Sequence, residues 1–297
     1  MKEYVILTDT GCDLHSEIRG KYGLEMDCMQ YILDGVSKPI DLDFKDVSAK
    51  EFYALIKSGK RITTAQVNQE DYRTEFIKAA KAGKDLLYVA TSSSISAGIN
   101  SAKIIAEEVK KDYPDVKIIC VDTLRACFAL GILAITASKL RAEGKSIDET
   151  VAWLEENKLT VNMEGSVAEL TYLKRAGRVS AASAFFGGLL NIKPIIMADA
   201  KGCNFAIEKV KGRATSINRI AERFAEEYVD SDYQMIFISH ADCIEDAELL
   251  KGKMEEKLGR SIDVNIGYVG QAVGASVGPG MLGVYFIGKK VTVNGDK

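Results

Sequence analysis

Short apolar runs of strand length alternate with amphipathic runs of helix length through the first half of the chain. Asp85-Leu-Leu-Tyr-Val-Ala90 is the clearest strand. After it, Ile99, Ala102, Ile105, Ala106 and Val109 recur at helical spacing, with Lys103, Glu107, Glu108, Lys110 and Lys111 on the opposite face. Tyr4 to Thr8 and Val116 to Val121 repeat the strand pattern, and Met26 to Leu33 reads as a further strand before an Asp34-Gly35 turn. Leu14 to Tyr22, Ser48 to Lys57, Gln69 to Ala82 and the hydrophobic Leu124 to Glu143 read as helices. Ser146-Ile-Asp-Glu149 has the spacing of a capping box and opens a helix to about Asn157. Strand followed by helix, repeated, predicts a mostly parallel, Rossmann-like sheet.

The rhythm changes near residue 160. Thr160 to Ala168 reads as a strand and Leu170 to Arg175 as a helical turn. Lys193 to Met197 and Asn204 to Val210 form a hairpin about Asp199-Ala-Lys-Gly202. Helices over Thr215–Tyr228 and Cys243–Leu258 flank a strand at Met235–Ser239. Val264 to Val269 and Val284 to Ile287 are strands about a glycine-rich loop from Gly270 to Gly283. Adjacent strands with less regular crossovers predict an α+β unit. The expected architecture is α/β with two domains, residues 1–158 and 159–297.

The candidate chemistry sits at the turns. Thr91, Ser92, Ser93, Ser94 and Ser96 lie where a buried strand hands over to a helix, the end of an α/β sheet at which ligands bind. A helix start supplies unpaired N–H groups and a positive dipole end, which suit a carboxylate or phosphate. One helix cap accounts for one serine, not for all five. Thr63, Thr64 and Gln66 make a second turn of the same character. Arg178, in the loop Arg175-Ala-Gly-Arg178, suits either a structural carboxylate or a ligand anion. Asp9 and Asp122 end strands and fit a cap or a site equally. His240 fits a hydrogen-bonded structural histidine better than a ligand contact.

Composition narrows the field. The 297 residues are 47% hydrophobic and 27% charged, enough for a sizeable core, and the net charge of −3 argues against a nucleic-acid partner. His15 and His240 are the only histidines and no C-x-x-C occurs, so no metal site is expected. Six scattered cysteines read as reduced thiols of a cytoplasmic protein. The first residues enter a strand pattern without the layout of a signal peptide, and the longest apolar run, Ala126 to Ala137, is too short to span a bilayer.

Three motif matches fail on context. Gly278-Pro-Gly-Met-Leu-Gly283 spells a dinucleotide fingerprint but runs into a strand. Gly274-Ala-Ser-Val-Gly278 spells a nucleophile elbow, but no histidine follows His240. Gly283 to Lys290 approximates a P-loop with lysine where serine or threonine must hold magnesium.

The ordered set of turns resembles the DegV family of bacterial fatty-acid-binding proteins over about 280 residues. Asp9-Thr10, Tyr31-Ile-Leu-Asp-Gly35, Thr64-Ala-Gln66 and Ser92-Ser-Ser-Ile-Ser-Ala-Gly-Ile-Asn-Ser-Ala102 carry the likeness in the first half. Val121-Asp-Thr123, Tyr172 to Ser180, Asn191 to Ile195, Ser239-His-Ala-Asp242 and Gly278 to Val284 carry it in the second. The resemblance implies a long-chain fatty acid buried between two domains, its carboxylate on Thr64 and Ser93; Ser92, Arg178 and Ser276 complete the candidate binding residues. It also implies a carrier, not a catalyst, that presents the acid to a separate fatty acid kinase and needs no cofactor. Two departures stand out. Ser96-Ala97-Gly98 replaces the family's Ser-Gly-Thr, and Ser276 stands where the family's Gly-Ala-His-Thr has histidine. Small and apolar residues from Ala126 to Ala137 and from Ala181 to Leu190 are candidates for the tunnel wall. The rival reading is an enzyme acting on a small phosphorylated or nucleotide ligand at the same helix start.

Overall fold

The computed structural model of the protein describes residues 2–180 and 191–295, so the Ala181–Leu190 stretch lies outside the described residues. In the first half, β1 (Tyr4–Asp9), β2 (Leu24–Asp27), β6 (Asp85–Ala90) and β7 (Ile118–Asp122) form a parallel sheet in the order β2-β1-β6-β7. Every residue of β6 is buried, as a strand covered on both faces requires. Helices α1 (Ser16–Tyr22), α3 (Gln69–Lys81), α4 (Gly98–Asp112), α5 (Cys127–Ala142) and α6 (Ile147–Asn157) pack on it, whereas Phe52 of α2 (Ala49–Lys57) packs on Tyr31. Helix α4 buries Ile99, Ala102, Ile105, Ala106 and Val109, the periodic set. The capping box forms at α6, where Glu149 N donates to Ser146 Oγ at 3.3 Å and Ser146 N donates back to Glu149 at 2.8 Å.

Strands β3 (Gln30–Leu33), β4 (Val36–Pro39) and β5 (Ile62–Ala65) form a small antiparallel sheet in the order β4-β3-β5. The single strand expected over Met26–Leu33 is therefore two strands in two sheets. The break is held by Thr10, whose hydroxyl accepts from Met29 N at 3.0 Å. Thr63 and Thr64, expected in a turn, lie in β5, paired to Ile32 and Tyr31. So short and polar a strand has no apolar alternation to announce it, and its pairing with β3 decides its conformation.

In the second half, β8 (Val161–Ser166), β9 (Val179–Ser180), β10 (Ile192–Ala198), β11 (Asn204–Lys211), β12 (Ile236–His240), β13 (Val264–Tyr268) and β14 (Leu282–Ile287) build one mixed sheet, ordered β13-β12-β14-β8-β10-β11-β9. One face packs Ile195, Ile238, Leu282, Val284 and Phe286 against α8 (Arg213–Glu227) and α9 (Ile244–Leu258). The other face meets α5, which is buried almost all round because it lies between the two large sheets. Phe128 of α5 stacks on Phe237 of β12 with ring centroids 4.7 Å apart.

The remaining helices are α7 (Leu170–Ala176) and α10 (Gln271–Val277). The latter lies within the stretch expected to be a glycine-rich loop. Its glycine is there for packing: a Cβ on Gly274 would stand 2.6 Å from the Tyr53 hydroxyl. Asp41 N donates to Gln271 Oε1 at 2.9 Å, tying α10 to the first half of the chain. None of the six cysteines is paired. No described helix is long and apolar enough to cross a membrane, and among the described residues no group of side chains could hold a metal ion.

Candidate functional site

The turns after β1, β6 and β7 all open at the carboxyl end of the parallel sheet, and one buried carboxylate organises the first two. Asp9 Oδ1 accepts from Gly11 N at 2.9 Å and Thr91 Oγ1 at 2.6 Å. Its Oδ2 accepts from Thr91 N at 2.9 Å and the Tyr88 hydroxyl at 2.8 Å. The turns are so close that a Cβ on Gly11 would stand 2.2 Å from Thr91 Oγ1. Asp122 does similar work one strand on, accepting from Ser93 N and Leu124 N at 3.1 Å each. Both strand-end aspartates are thus engaged in holding turns.

The serines divide by direction. The buried Ser92 donates its hydroxyl to Gly202 O at 2.9 Å, and Ser94 donates to Lys201 O, so these two stitch the turn to the β10–β11 hairpin. Ser93 is exposed and is not among the residues that line the cleft described next. Ser96 and Thr91 do line it.

That cleft encloses about 250 Å³ between the first-half turns, α7 and α10. Thr64 and Gln66 come from the end of β5, Gly11 and Thr91 from the Asp9 network, Arg178 from the loop after α7, and Ser276 from α10. Gln66 Nε2 donates to Ser101 Oγ at 2.9 Å. Arg178 Nη1 donates to Ala176 O. Helix α4 starts at the cleft with no side-chain cap, because Ala97 occupies the cap position. The first N–H, that of Gly98, donates to Ser96 Oγ at 3.3 Å, so the helix start holds the Ser96 side chain at the cleft and adds its dipole there. Of the residues singled out in the sequence, Thr64, Gln66, Thr91, Ser96, Arg178 and Ser276 meet at this cleft, whereas Ser92 and Ser93 are not among its lining.

Ile95, Ala126, Leu173, Val273 and Val277 line both the cleft and an apolar extension behind it. The extension runs past Cys127 and Ala129 of α5 and over Met163, Gly165, Ile196 and Tyr285 of the mixed sheet, and encloses about 50 Å³. On its outer side the cleft adjoins a pocket of about 260 Å³ that shares Thr64, Arg178 and Ser276 and adds Lys60, Arg61 and Arg175. No acidic side chain lines this outer pocket among the described residues, although Lys60 reaches Asp34 at 2.7 Å. The arrangement runs from cationic mouth to hydroxyl and amide donors to apolar tunnel.

Sequence reasoning identified the threonine turn, the basic loop and the serine run that includes Ser96, and left Asp9 as cap or site, but missed the α10 wall. Asp9 had a visible signal, since it ends a strand. Val273 and Val277 had none, since a run of glycines concealed the helix that carries them. His240 is buried at the end of β12. Its Nδ1 accepts from Cys243 N at 3.4 Å, its ring packs 4.4 Å from that of Tyr268, and burial lowers its pKa. Ser276 lies within a helix, not at a strand-to-helix elbow.

A family model described as uncharacterised proteins of the DegV family matches residues 3–289. A DegV domain-containing protein of Clostridium perfringens is 35% identical over 288 residues, covering 97% of this chain and 98% of its own. The crystal structure of DegV from Bacillus subtilis, described as a fatty acid binding protein, is 26% identical with a TM-score of 0.80, covering 97% of this chain and 100% of its own. A DegV family protein from Thermus thermophilus, whose fatty acid binding is described, has a TM-score of 0.85 over 97% of this chain and 100% of its own. At 23% identity it bears on the fold alone.

Proposed function

The chain belongs to the DegV family, and from that premise we propose that it binds a long-chain fatty acid, its carboxylate in the donor-lined cleft and its chain in the apolar tunnel. The observation that carries this reading is the continuity of the two, through Ile95, Leu173, Val273 and Val277. At about 0.8 kcal/mol per buried methylene, a sixteen-carbon chain supplies on the order of 12 kcal/mol before ordering costs. A carboxylate taken out of water must be hydrogen-bonded, and Thr64, Ser96, Ser276 and Arg178 offer donors at one place. A small phosphorylated ligand would use the cleft and leave the tunnel without a purpose.

The protein acts as a cytoplasmic carrier, not a catalyst, and presents the head group to a separate fatty acid kinase. The outer pocket supports this part of the reading: its arginines and lysine surround the opening to which an incoming phosphoryl group must come. Ser276, at the histidine position of the family pattern, faces both pockets. The six unpaired cysteines fit a reducing compartment.

The first test is extraction of the purified protein with organic solvent, followed by mass spectrometry. A stoichiometric long-chain acid is expected. A clean extract from protein that also takes up no added fatty acid would end the reading. Thr64→Val together with Ser96→Ala is expected to lower fatty acid affinity about a hundredfold, since a buried carboxylate loses two donors. The family resemblance implies Thr64 and Ser93 as the carboxylate's partners, whereas Ser96 lines the cleft beside Thr64. Single Ser93→Ala and Ser96→Ala variants decide between them, and the larger loss is expected at Ser96. Pull-down and phosphoryl-transfer assays with a fatty acid kinase test the presentation step.

A further inference from the structure

Two short repeats lie side by side in the mixed sheet. Met163-Glu-Gly165 belongs to β8, and Met281-Leu-Gly283 leads into β14. The strands are antiparallel and Gly165 pairs directly with Gly283. Residues two apart on a strand share a face, so each methionine stands on the same side as its glycine. The contacts agree. A Cβ on Gly283 would stand 2.9 Å from Met281 Cε, and one on Gly165 would stand 3.6 Å from Met163 Sδ. The Met281 thioether is folded over the bare α-carbon of Gly283, while at Gly165 the backbone of the neighbouring strand comes first, with Leu282 O 3.0 Å from the Cβ position and Met163 Sδ beyond it. The intervening Glu164 faces the other way, where its carboxylate pairs with Arg223 at 2.6 Å.

Met163, Gly165 and Met281 line the apolar end of the tunnel. Glycine weakens a strand interior, and two of them paired in central strands mark a place that something approaches closely. The tunnel end encloses about 50 Å³, so an acyl chain enters only by displacing side chains. Most of its lining is branched, small or aromatic, and Arg125 is held by backbone carbonyls. The two methionines are unbranched and adaptable. When Met281 swings aside, Gly283 leaves the groove one side chain deeper than an ordinary strand surface, and Met163 can yield beside it.

We propose that these two methionine–glycine pairs set the shape tolerance of the tunnel, so that a cis-unsaturated chain fits as readily as a linear saturated one. The inference rests on the fatty-acid-binding reading above. Its test compares stearic and oleic acid on delipidated protein by calorimetry. In the wild-type protein the two affinities are expected to agree within about threefold. Gly283→Ala puts a methyl group where Met281 Cε now rests, and is expected to weaken oleic acid about tenfold while stearic acid stays within about threefold. Met281→Leu keeps the bulk but removes the flexible thioether, and the same selective loss is expected. Thermal melts establish that both variants fold. Tenfold discrimination against oleic acid by the wild-type protein, or equal loss of both acids in the variants, overturns this inference and leaves fatty acid binding standing. Failure of the wild-type protein to bind either acid overturns both.

Discussion

Replacing Arg125 by methionine is expected to destabilise the protein by about 3–5 kcal/mol, read as a lower urea midpoint at unchanged slope. Arg125 is 1% exposed, the largest fully buried side chain described. Its described hydrogen bonds all go to backbone carbonyls. Nε donates to Val161 O at 2.6 Å, Nη1 to Leu124 O at 2.7 Å and Asp199 O at 3.2 Å, and Nη2 to Leu159 O at 3.5 Å. Burial lowers its pKa to about 10, so it remains charged at neutral pH. Removing an entire buried ion pair is often harmless, because its desolvation cost goes with it. Here the acceptors belong to the main chain and stay behind. Those carbonyls come from the turn after β7, the entry to β8 and the end of β10, so one side chain ties three segments together. Arg125→Lys is expected to recover less than half of the loss, because one ammonium cannot fork to acceptors in divergent directions. Wild-type stability in Arg125→Met would mean that water or neighbouring donors satisfy those carbonyls, and the guanidinium would not be the stitch.

Legibility in the sequence followed periodicity. Strand β6 and helices α4 and α5 were readable because each is covered over a whole face or all round, and the residue pattern records that covering. Strand β5 and helix α10 were not. Ile62–Ala65 alternates nothing apolar against polar, and Gln271–Val277 carries a glycine that makes room for Tyr53. Both are shaped by partners distant in sequence, which single-chain propensity does not contain. The site divides the same way. A run of hydroxyls at a strand end points to a polar turn, and Thr64, Arg178 and Ser276 do stand at one cleft. Which serine of the run faces that cleft depends on the direction of each side chain within the turn. Ser92 and Ser94 are drawn to Gly202 O and Lys201 O by a hairpin more than a hundred residues away. The methionine–glycine pairs are present in the sequence as two unremarked triplets. They acquire meaning only through the register that sets Gly165 opposite Gly283.

Asp13→Asn is expected to leave stability unchanged near pH 3 and to raise it by about 4 kcal/mol at pH 8. Asp13 is 4% exposed, and burial raises its pKa from 3.8 to about 7. The Cys127 thiol and the Gly270 backbone N–H lie near enough to offset part of this, but neither carboxyl oxygen completes a hydrogen bond of normal geometry. The sign follows from linkage. Below about pH 3 the acid is protonated in both folded and unfolded chains and contributes nothing. Between 3.8 and about 7 the unfolded chain ionises freely while the folded one resists, so stability is lost as pH rises, and the loss is complete above the folded pKa. Asparagine cannot ionise, and it tolerates the left-handed backbone that Asp13 adopts at φ 58°. Asp27 and Glu164, also raised to about 7 by burial, tilt the stability of both proteins in the same direction. The difference between the two pH profiles, measured by urea unfolding, therefore isolates Asp13. The opposite result, a variant less stable at pH 8, would mean that the carboxylate is ionised and held by Gly270 at the start of α10. Asp13 would then be a polar tie between the first turn and the helix that carries Ser276.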